Sequence, residues 1–259
     1  MTGPLTDDEI EGFVRDGYVR LTHAFPRSLA EECCDLLWEE LPFDRDDPST
    51  WTGPVVRLWG SQAPAFIESA TTPRLHAAFD QLVGPGRWLP KAGMGTFPVR
   101  FPSQADPGDT GWHIDGSVGP DGGMFLSVTS RGRALLLLFL YTDVTAVDAP
   151  TRIRRGSHLF IPEVLAPFGD DGVPYAESPT PDPAINDLEI VLATGRAGDV
   201  YLCHPFLQHA ASFPHRGNRP RIIGQPALEP VGPLVIVGDA DHQYNAVERA
   251  IRMGLARKG

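Results

Sequence analysis

The sequence predicts an α+β protein with a mainly β core, a jelly-roll or double-sheet barrel buttressed by N-terminal helices. Three observations point there. Helix-start signals crowd into the first 85 of the 259 residues. From Trp88 onward the chain is a series of short β-rich runs: GTFPVRF, WHID, RALLLLFLY, LEIVL, DVYLC, RIIGQPAL and LVIV, separated by Gly, Pro and Asp clusters. The 26 prolines and 27 glycines supply turns in the number that short strands require and a helical bundle does not.

Taken in order, Thr6-Asp-Asp-Glu9 and Ser28-Leu-Ala-Glu31 both match the capping box, in which side chains satisfy the free N–H groups at a helix start. Between these two helices GYVRL (17–21) reads as a strand. Thr72-Pro73 suits an N-cap followed by proline at the first helical position, opening a helix to about Leu82. RALLLLFLY shows no alternation, which predicts a central strand buried on both faces. The polar, proline-rich segment 162–187 is longer than most loops, and loops of that length often serve as lids. A closing helix over 246–257 can be capped by Asn245 with Glu248 three residues on. No repeat or linker divides the chain. The expectation is one domain over 1–259: a helical buttress (1–85), a β core (86–240) carrying the lid, and a C-terminal helix (241–259).

A net charge of −11 argues against nucleic acid as the main partner, because phosphate binding needs a basic face. Cys33, Cys34 and Cys203 are odd in number, and two are adjacent in a helical segment, so no disulfide framework is implied. The N-terminus lacks the basic and apolar regions of a signal peptide, and the longest apolar run, ALLLLFLY, is too short to span a bilayer. The expectation is a cytoplasmic protein acting on a small molecule, with neither membrane nor nucleic acid as partner.

The stretch GDTGWHIDGS (108–117) carries the chemistry. Residues i and i+2 of a strand share a face, so His113 and Asp115 can hold one metal ion while Trp112 and Ile114 pack on the other side. Two histidines and one carboxylate on one face of an octahedral metal leave three positions open, the arrangement used by non-heme Fe(II) oxygenases. By itself the HxD tripeptide more often marks a structural His–Asp hydrogen bond than a metal pair. The segment 197–223 offers two candidates for the third ligand, His204 and His209. Their odd separation would place them on opposite faces of a continuous strand, but Pro205 interrupts it, so parity does not choose. Arg219 and Arg221 follow, and an arginine there can pair bidentately with the far carboxylate of an oxo-acid whose other end chelates the metal.

GWHIDG, then DAPTRIRRGSH (148–158), then GDVYLCHPFLQHAA and NRPRI, with the opening LTDDEIEGFVRDGYVRL, resemble the phytanoyl-CoA dioxygenase family of Fe(II)/2-oxoglutarate oxygenases. The likeness covers most of the chain. It implies a double-stranded β-helix (jelly-roll, cupin-like), with Fe(II) as cofactor and 2-oxoglutarate and O2 as cosubstrates. His113, Asp115 and His209 would be the iron ligands, His209 because small residues and then Asn…Arg follow it. Arg221, opening the strand RIIGQ, matches the family's 2-oxoglutarate arginine better than Arg219 does, and Thr96 could add a hydroxyl to the same cosubstrate.

The chain departs from the family pattern at Arg155, where proline is frequent before Gly-Ser-His, and at Ala211, where serine or glycine is common. Asp115 stands where halogenating relatives have a small residue, so hydroxylation or a related oxidation is expected. Two alternatives keep the fold: a zinc or other non-redox metal enzyme, and a binding protein without catalysis.

Other candidates have plainer readings. His158 suits a structural hydrogen bond near the barrel mouth. Arg152, Arg154 and Arg155 could receive an anionic substrate group or form a solvated loop. Lys91 is a weaker contact candidate. Trp112 and Cys203 read as packing residues, and His23, His76, His215 and His242 as ordinary core or surface positions.

Overall fold

The computed structural model describes residues 3–119, 122–239 and 241–258. The helix α1 (Asp7–Asp16) starts at the expected capping box: Thr6 accepts from the Glu9 N–H, and the Glu9 carboxylate accepts from the Thr6 N–H at 2.8 Å. It ends at Gly17, whose φ of 86° is left-handed and where a Cβ would sit 2.5 Å from His158 Nδ1. Strand β1 (Tyr18–Leu21) follows.

The second capping box does not form. Helix α2 (Arg27–Glu40) starts two residues earlier, with Pro26 at the N-cap and its carbonyl accepting from Leu29 and Ala30. Ser28 is therefore already helical, and no side chain caps this end. The helical buttress also contains a strand not expected there, β2 (Val55–Trp59), and a short helix α3 (Pro64–Ala70). Helix α4 (Pro73–Val83) is capped by Thr72 as expected.

The remaining strands are β3 (Thr96–Arg100), β4 (Ser117–Val118), β5 (Met124–Leu126), β6 (Leu135–Leu140) and β7 (Arg152–Arg154). After helix α5 (Ile161–Leu165) come β8 (Val173–Pro174), β9 (Ile190–Leu192), β10 (Val200–Cys203) and β11 (His209–Ala210). The strands β12 (Ile223–Gly224) and β13 (Ala227–Leu228) are split by Pro226, and helix α6 (Ala246–Leu255) closes the chain behind its Asn245–Glu248 capping box.

One antiparallel sheet runs β1-β10-β6-β12, with β13 also on β6. The β2-β3 pair joins its β12 edge through bridges of Thr96 to Gln225 and Arg100 to Arg221. A second sheet runs β11-β7-β9, and a backbone bridge adds His113 to β11. The strand β6 shows why its sequence does not alternate. Leu135, Leu137 and Phe139 join the core cluster shared with α1, α2, α4 and α6, while Leu136, Leu138 and Leu140 pack with Ile153 and Leu207 in a second cluster on the side of the second sheet. Helices thus cover one face of β6 and a β layer the other.

Two strand expectations change. LVIV (234–237) forms no strand: Val235 donates its N–H to Glu248 Oε1 at 2.6 Å, and Val237 is exposed. WHID contributes only the single bridge at His113. The 162–187 segment contains α5, β8 and single-turn helices, and β8 pairs with β5. Its Tyr175 hydroxyl donates to the Ile114 carbonyl at 2.8 Å, which ties the segment to the HxD stretch. Among the described residues no helix is long and apolar enough to cross a membrane.

Candidate metal centre and its arginine-lined cavity

His113 and His209 face each other across a closely spaced antiparallel pair. Each donates its backbone N–H to the other's carbonyl, at 3.1 and 2.9 Å, and their rings lie 4.4 Å apart. Asp115 projects beside them. Its Oδ1 is 3.7 Å from His113 Nε2 and 3.6 Å from His209 Nε2. One ligand atom from each of the three residues falls within 4.8 Å of the others. Position 204 does not reach this group, because the chain leaves the first sheet after β10, turns at 204–207 and enters the second sheet at β11.

The donor set fits a divalent ion. His113 Nδ1 is 2.9 Å from the Gly111 carbonyl and His209 Nδ1 is 3.1 Å from that of Leu207. Each ring therefore carries its proton on Nδ1 and leaves the Nε2 lone pair facing Asp115, the tautomer a metal requires. Burial keeps His209 neutral by lowering its pKa, against the pull of Asp115. Arg133, at the entry to β6, lies 3.4 Å from Asp115 Oδ2 and donates to the Gly116 carbonyl at 3.1 Å. That pairing occupies one carboxylate oxygen and leaves Oδ1 toward the histidines.

The triad opens into a cavity of about 470 Å³ also lined by Thr96, Arg100, Arg221 and Gln225. Arg221 is 2 % exposed, and neither its Nε nor its Nη1 has a hydrogen-bond partner. Burial and then the neighbouring Arg100 lower its pKa to about 9. A buried guanidinium with unused donors is costly unless an anion completes it. Arg100, its bridge partner across β3, donates to both oxygens of Asp109 at 2.7 and 2.6 Å, and Arg57 reaches the same carboxylate. Burial alone would raise the Asp109 carboxyl; these arginines hold it below its ordinary value.

Several sequence candidates lie elsewhere. Arg219 and Lys91 line other clefts, Lys91 being 3.6 Å from Glu229. His204 and His158 are fully buried with carbonyl partners, Val247 at 3.3 Å and Val14 at 3.0 Å. Arg152 and Arg155 are spent on structure, and Arg154 in part, its Nε being buried without a partner. Arg152 donates to the Thr110 and Ala211 carbonyls, Arg154 to Asn186 and Gln208, and Arg155 pairs with Asp16 and Glu189. Trp112 lies against the guanidinium groups of Arg152 and Arg154 at 4.9 and 4.4 Å. Sequence reasoning missed Arg57, Arg100, Asp109 and Arg133, whose neighbours are set by cross-strand pairing rather than by local motif. A larger cleft of about 1000 Å³ near His23 and Arg74 shares no residue with this cavity and contains no ligand cluster of this kind.

A profile of the phytanoyl-CoA dioxygenase (PhyH) family matches residues 13–223, a span that contains all three triad residues and Arg221. The chain belongs to the phytanoyl-CoA dioxygenase family. Solved structures agree on the fold. The non-heme α-ketoglutarate-dependent carbocyclase SnoK from nogalamycin biosynthesis superposes with a TM-score of 0.61 at 18% identity, over 93% of this chain and 87% of that one. The epimerase SnoN in complex with Fe3+, α-ketoglutarate and nogalamycin RO gives 0.60 at 19%, over 86% and 82%. HygX from Streptomyces hygroscopicus with nickel, 2-oxoglutarate and hygromycin B bound gives 0.56 at 17%, over 93% and 96%. A sequence comparison with curated proteins gave no significant match. Within the phytanoyl-CoA dioxygenase family this chain is thus recognised by its sequence pattern and fold.

Proposed function

We propose that this protein is a mononuclear Fe(II)/2-oxoglutarate-dependent dioxygenase on a single double-stranded β-helix domain, hydroxylating or otherwise oxidising a C–H bond of a small molecule. The observation that carries this reading is the convergence of a His–Asp–His triad and an unpartnered buried arginine on one cavity. In this reading His113, Asp115 and His209 hold iron, and Arg221 receives the far carboxylate of 2-oxoglutarate, with the Thr96 hydroxyl beside it. Iron with 2-oxoglutarate and O2 supplies the oxidant for the C–H bond, with succinate and carbon dioxide as coproducts.

The chain's own residues bind and orient. The Nδ1–H bonds to Gly111 and Leu207 fix both imidazoles. Arg133 fixes Asp115, and the bridge between His113 and His209 makes the ligand spacing a property of the sheet rather than of a loop. Burial of Arg221 strengthens its pairing with a carboxylate over what the same pair would give in water.

The test is anaerobic addition of Fe(II) and then 2-oxoglutarate to metal-free protein, watching for the weak visible charge-transfer band of chelated iron. The band is expected in the parent and absent in His113→Ala. Its absence from the parent at saturating iron and cosubstrate would overturn this reading in favour of a non-redox metal enzyme.

A further inference from the structure

The cavity carries more positive charge than a metal site needs. Its ionisable lining, apart from the histidines, is Arg57, Arg100, Arg133, Arg221, Asp109 and Asp115, so four guanidiniums against two carboxylates leave a net charge of +2. Under the oxygenase reading above, on which this step rests, a divalent metal and a doubly charged 2-oxoglutarate cancel. The excess of +2 then persists when the site is loaded. The protein as a whole has a net charge of −11, so the positive cavity is a local feature and not the average of the surface.

The geometry locates the unspent part of that charge. Arg221 is assigned to 2-oxoglutarate and Arg133 to Asp115. Arg100 and Arg57 share one carboxylate, Asp109. The Nε of Arg100 is buried without a partner, as is that of Arg133, but only Arg100 shares its carboxylate with a second arginine, Arg57, whose side chain is 40 % exposed at the edge strand β2. Two positions along the same face of β2, Trp59 is 76 % exposed and also lines the cavity, as does the exposed Met124. A guanidinium pair that lacks a full complement of acceptors therefore stands beside uncovered aromatic and thioether surface.

We infer that Arg57 and Arg100 form the substrate subsite, and that the substrate is a carboxylate-bearing small molecule with a planar or cyclic body. Its carboxylate is received by the two arginines and its ring lies against Trp59 and Met124. Asp109 is the internal carboxylate that partly satisfies both arginines in the free protein. The arginines of β7 and Arg155 after it, which the sequence offers for the same task, do not line this cavity, and Arg152 and Arg155 are taken up by backbone and side-chain partners.

The test is isothermal titration of four acids (benzoate, cinnamate, 2-naphthoate and indole-3-acetate) against their primary amides. Metal-free protein and protein loaded with redox-silent nickel and 2-oxoglutarate are both titrated. At least one acid is expected to bind about tenfold or more tighter than its amide in both forms, as a charge-assisted pair would give. Arg57→Gln should bring each acid–amide pair to within about threefold, the remnant of a single arginine contact. Asp109→Asn should tighten the acid severalfold and leave the amide unchanged, whereas a purely structural Asp109 would yield weaker binding or none.

No acid preference in the parent, or one that survives Arg57→Gln, overturns the inference. So does a preference lost in Arg221→Ala and kept in Arg57→Gln, which would put the acid in the cosubstrate position. Because the metal-free arm needs no iron, an acid preference without the iron chromophore would leave this inference standing and remove the oxygenase reading. A chromophore without an acid preference would do the reverse.

Discussion

Among the described residues two pairs of histidine rings lie close together, and their nitrogens are engaged in opposite ways. His113 and His209 have ring centroids 4.4 Å apart, and His158 and His204 are 4.8 Å apart. In the first pair each Nδ1 is held by a carbonyl two residues back on its own chain, so both Nε2 atoms are free and face a carboxylate and a cavity. In the second pair the Nε2 atoms are the bound ones. His158 holds the Val14 carbonyl of α1, His204 holds Val247 of α6, and His204 Nδ1 accepts from the Phe206 N–H. Both rings are fully buried, and burial lowers both pKa values, that of His158 to about 4. Proximity of two imidazoles therefore does not make a metal site. A metal would need a third ligand, a free nitrogen on each ring and an open side, and among the described residues only the first pair offers all three.

The sharpest way to break this contrast is to exchange the losses. His113→Ala is expected to weaken Fe(II) binding roughly a thousandfold, beyond the 10–100-fold typical of outer partners, with little change in thermal midpoint. His204→Ala should do the opposite, costing about 2–3 kcal/mol of stability through an emptied buried site and an orphaned Val247 carbonyl while keeping metal affinity. Metal titration and denaturant unfolding of both variants check the pair. Loss of metal binding in His204→Ala would erase the distinction.

Acid separates the pairs next. The unfolded-state pKa of His158 is near 6.5 and its folded value about 4, so the unfolded chain binds more protons between them. Its stabilising contribution is complete above pH 6.5 and is lost as pH falls toward 4. Between pH 7.5 and pH 5 the parent should lose about 2 kcal/mol of unfolding free energy through this group. His158→Gln, which keeps a donor to Val14 but cannot titrate, should flatten that slope in urea unfolding at the two pH values.

Smaller effects refine the metal side. Arg133→Met should weaken the metal about tenfold by freeing Asp115 to rotate, as measured by competition with a chelator. Arg152→Ala should cost only severalfold. It removes bonds to the Thr110 and Ala211 carbonyls that lash the HxD stretch to β11, but leaves the backbone bridge of His113 to His209 intact.

Much of this was legible in the sequence where chemistry is local. The His113–Asp115 spacing follows from strand parity, the caps at Thr6, Thr72 and Asn245 from short-range hydrogen bonding, and the doubly buried β6 from its unbroken apolar run. Parity failed between His204 and His209 because the chain changes sheets between them, which only long-range pairing reveals. Pairing also brings Arg100 against Arg221 and both toward Asp109, so no local pattern flags them. Ser28 caps nothing because Pro26 starts α2 before the motif can act, and LVIV forms no strand because Val235 gives its N–H to a buried glutamate.

In the proposed function one cavity binds a metal at the triad and the far carboxylate of 2-oxoglutarate at Arg221. The most direct test of that function is titration of 2-oxoglutarate into nickel-loaded parent and into Arg221→Ala, with the metal content of each protein measured alongside. Full nickel occupancy is expected in both, with a Kd for 2-oxoglutarate raised about a hundredfold in the variant by the loss of a buried charge-assisted pair. Equal affinities at equal nickel content would contradict it.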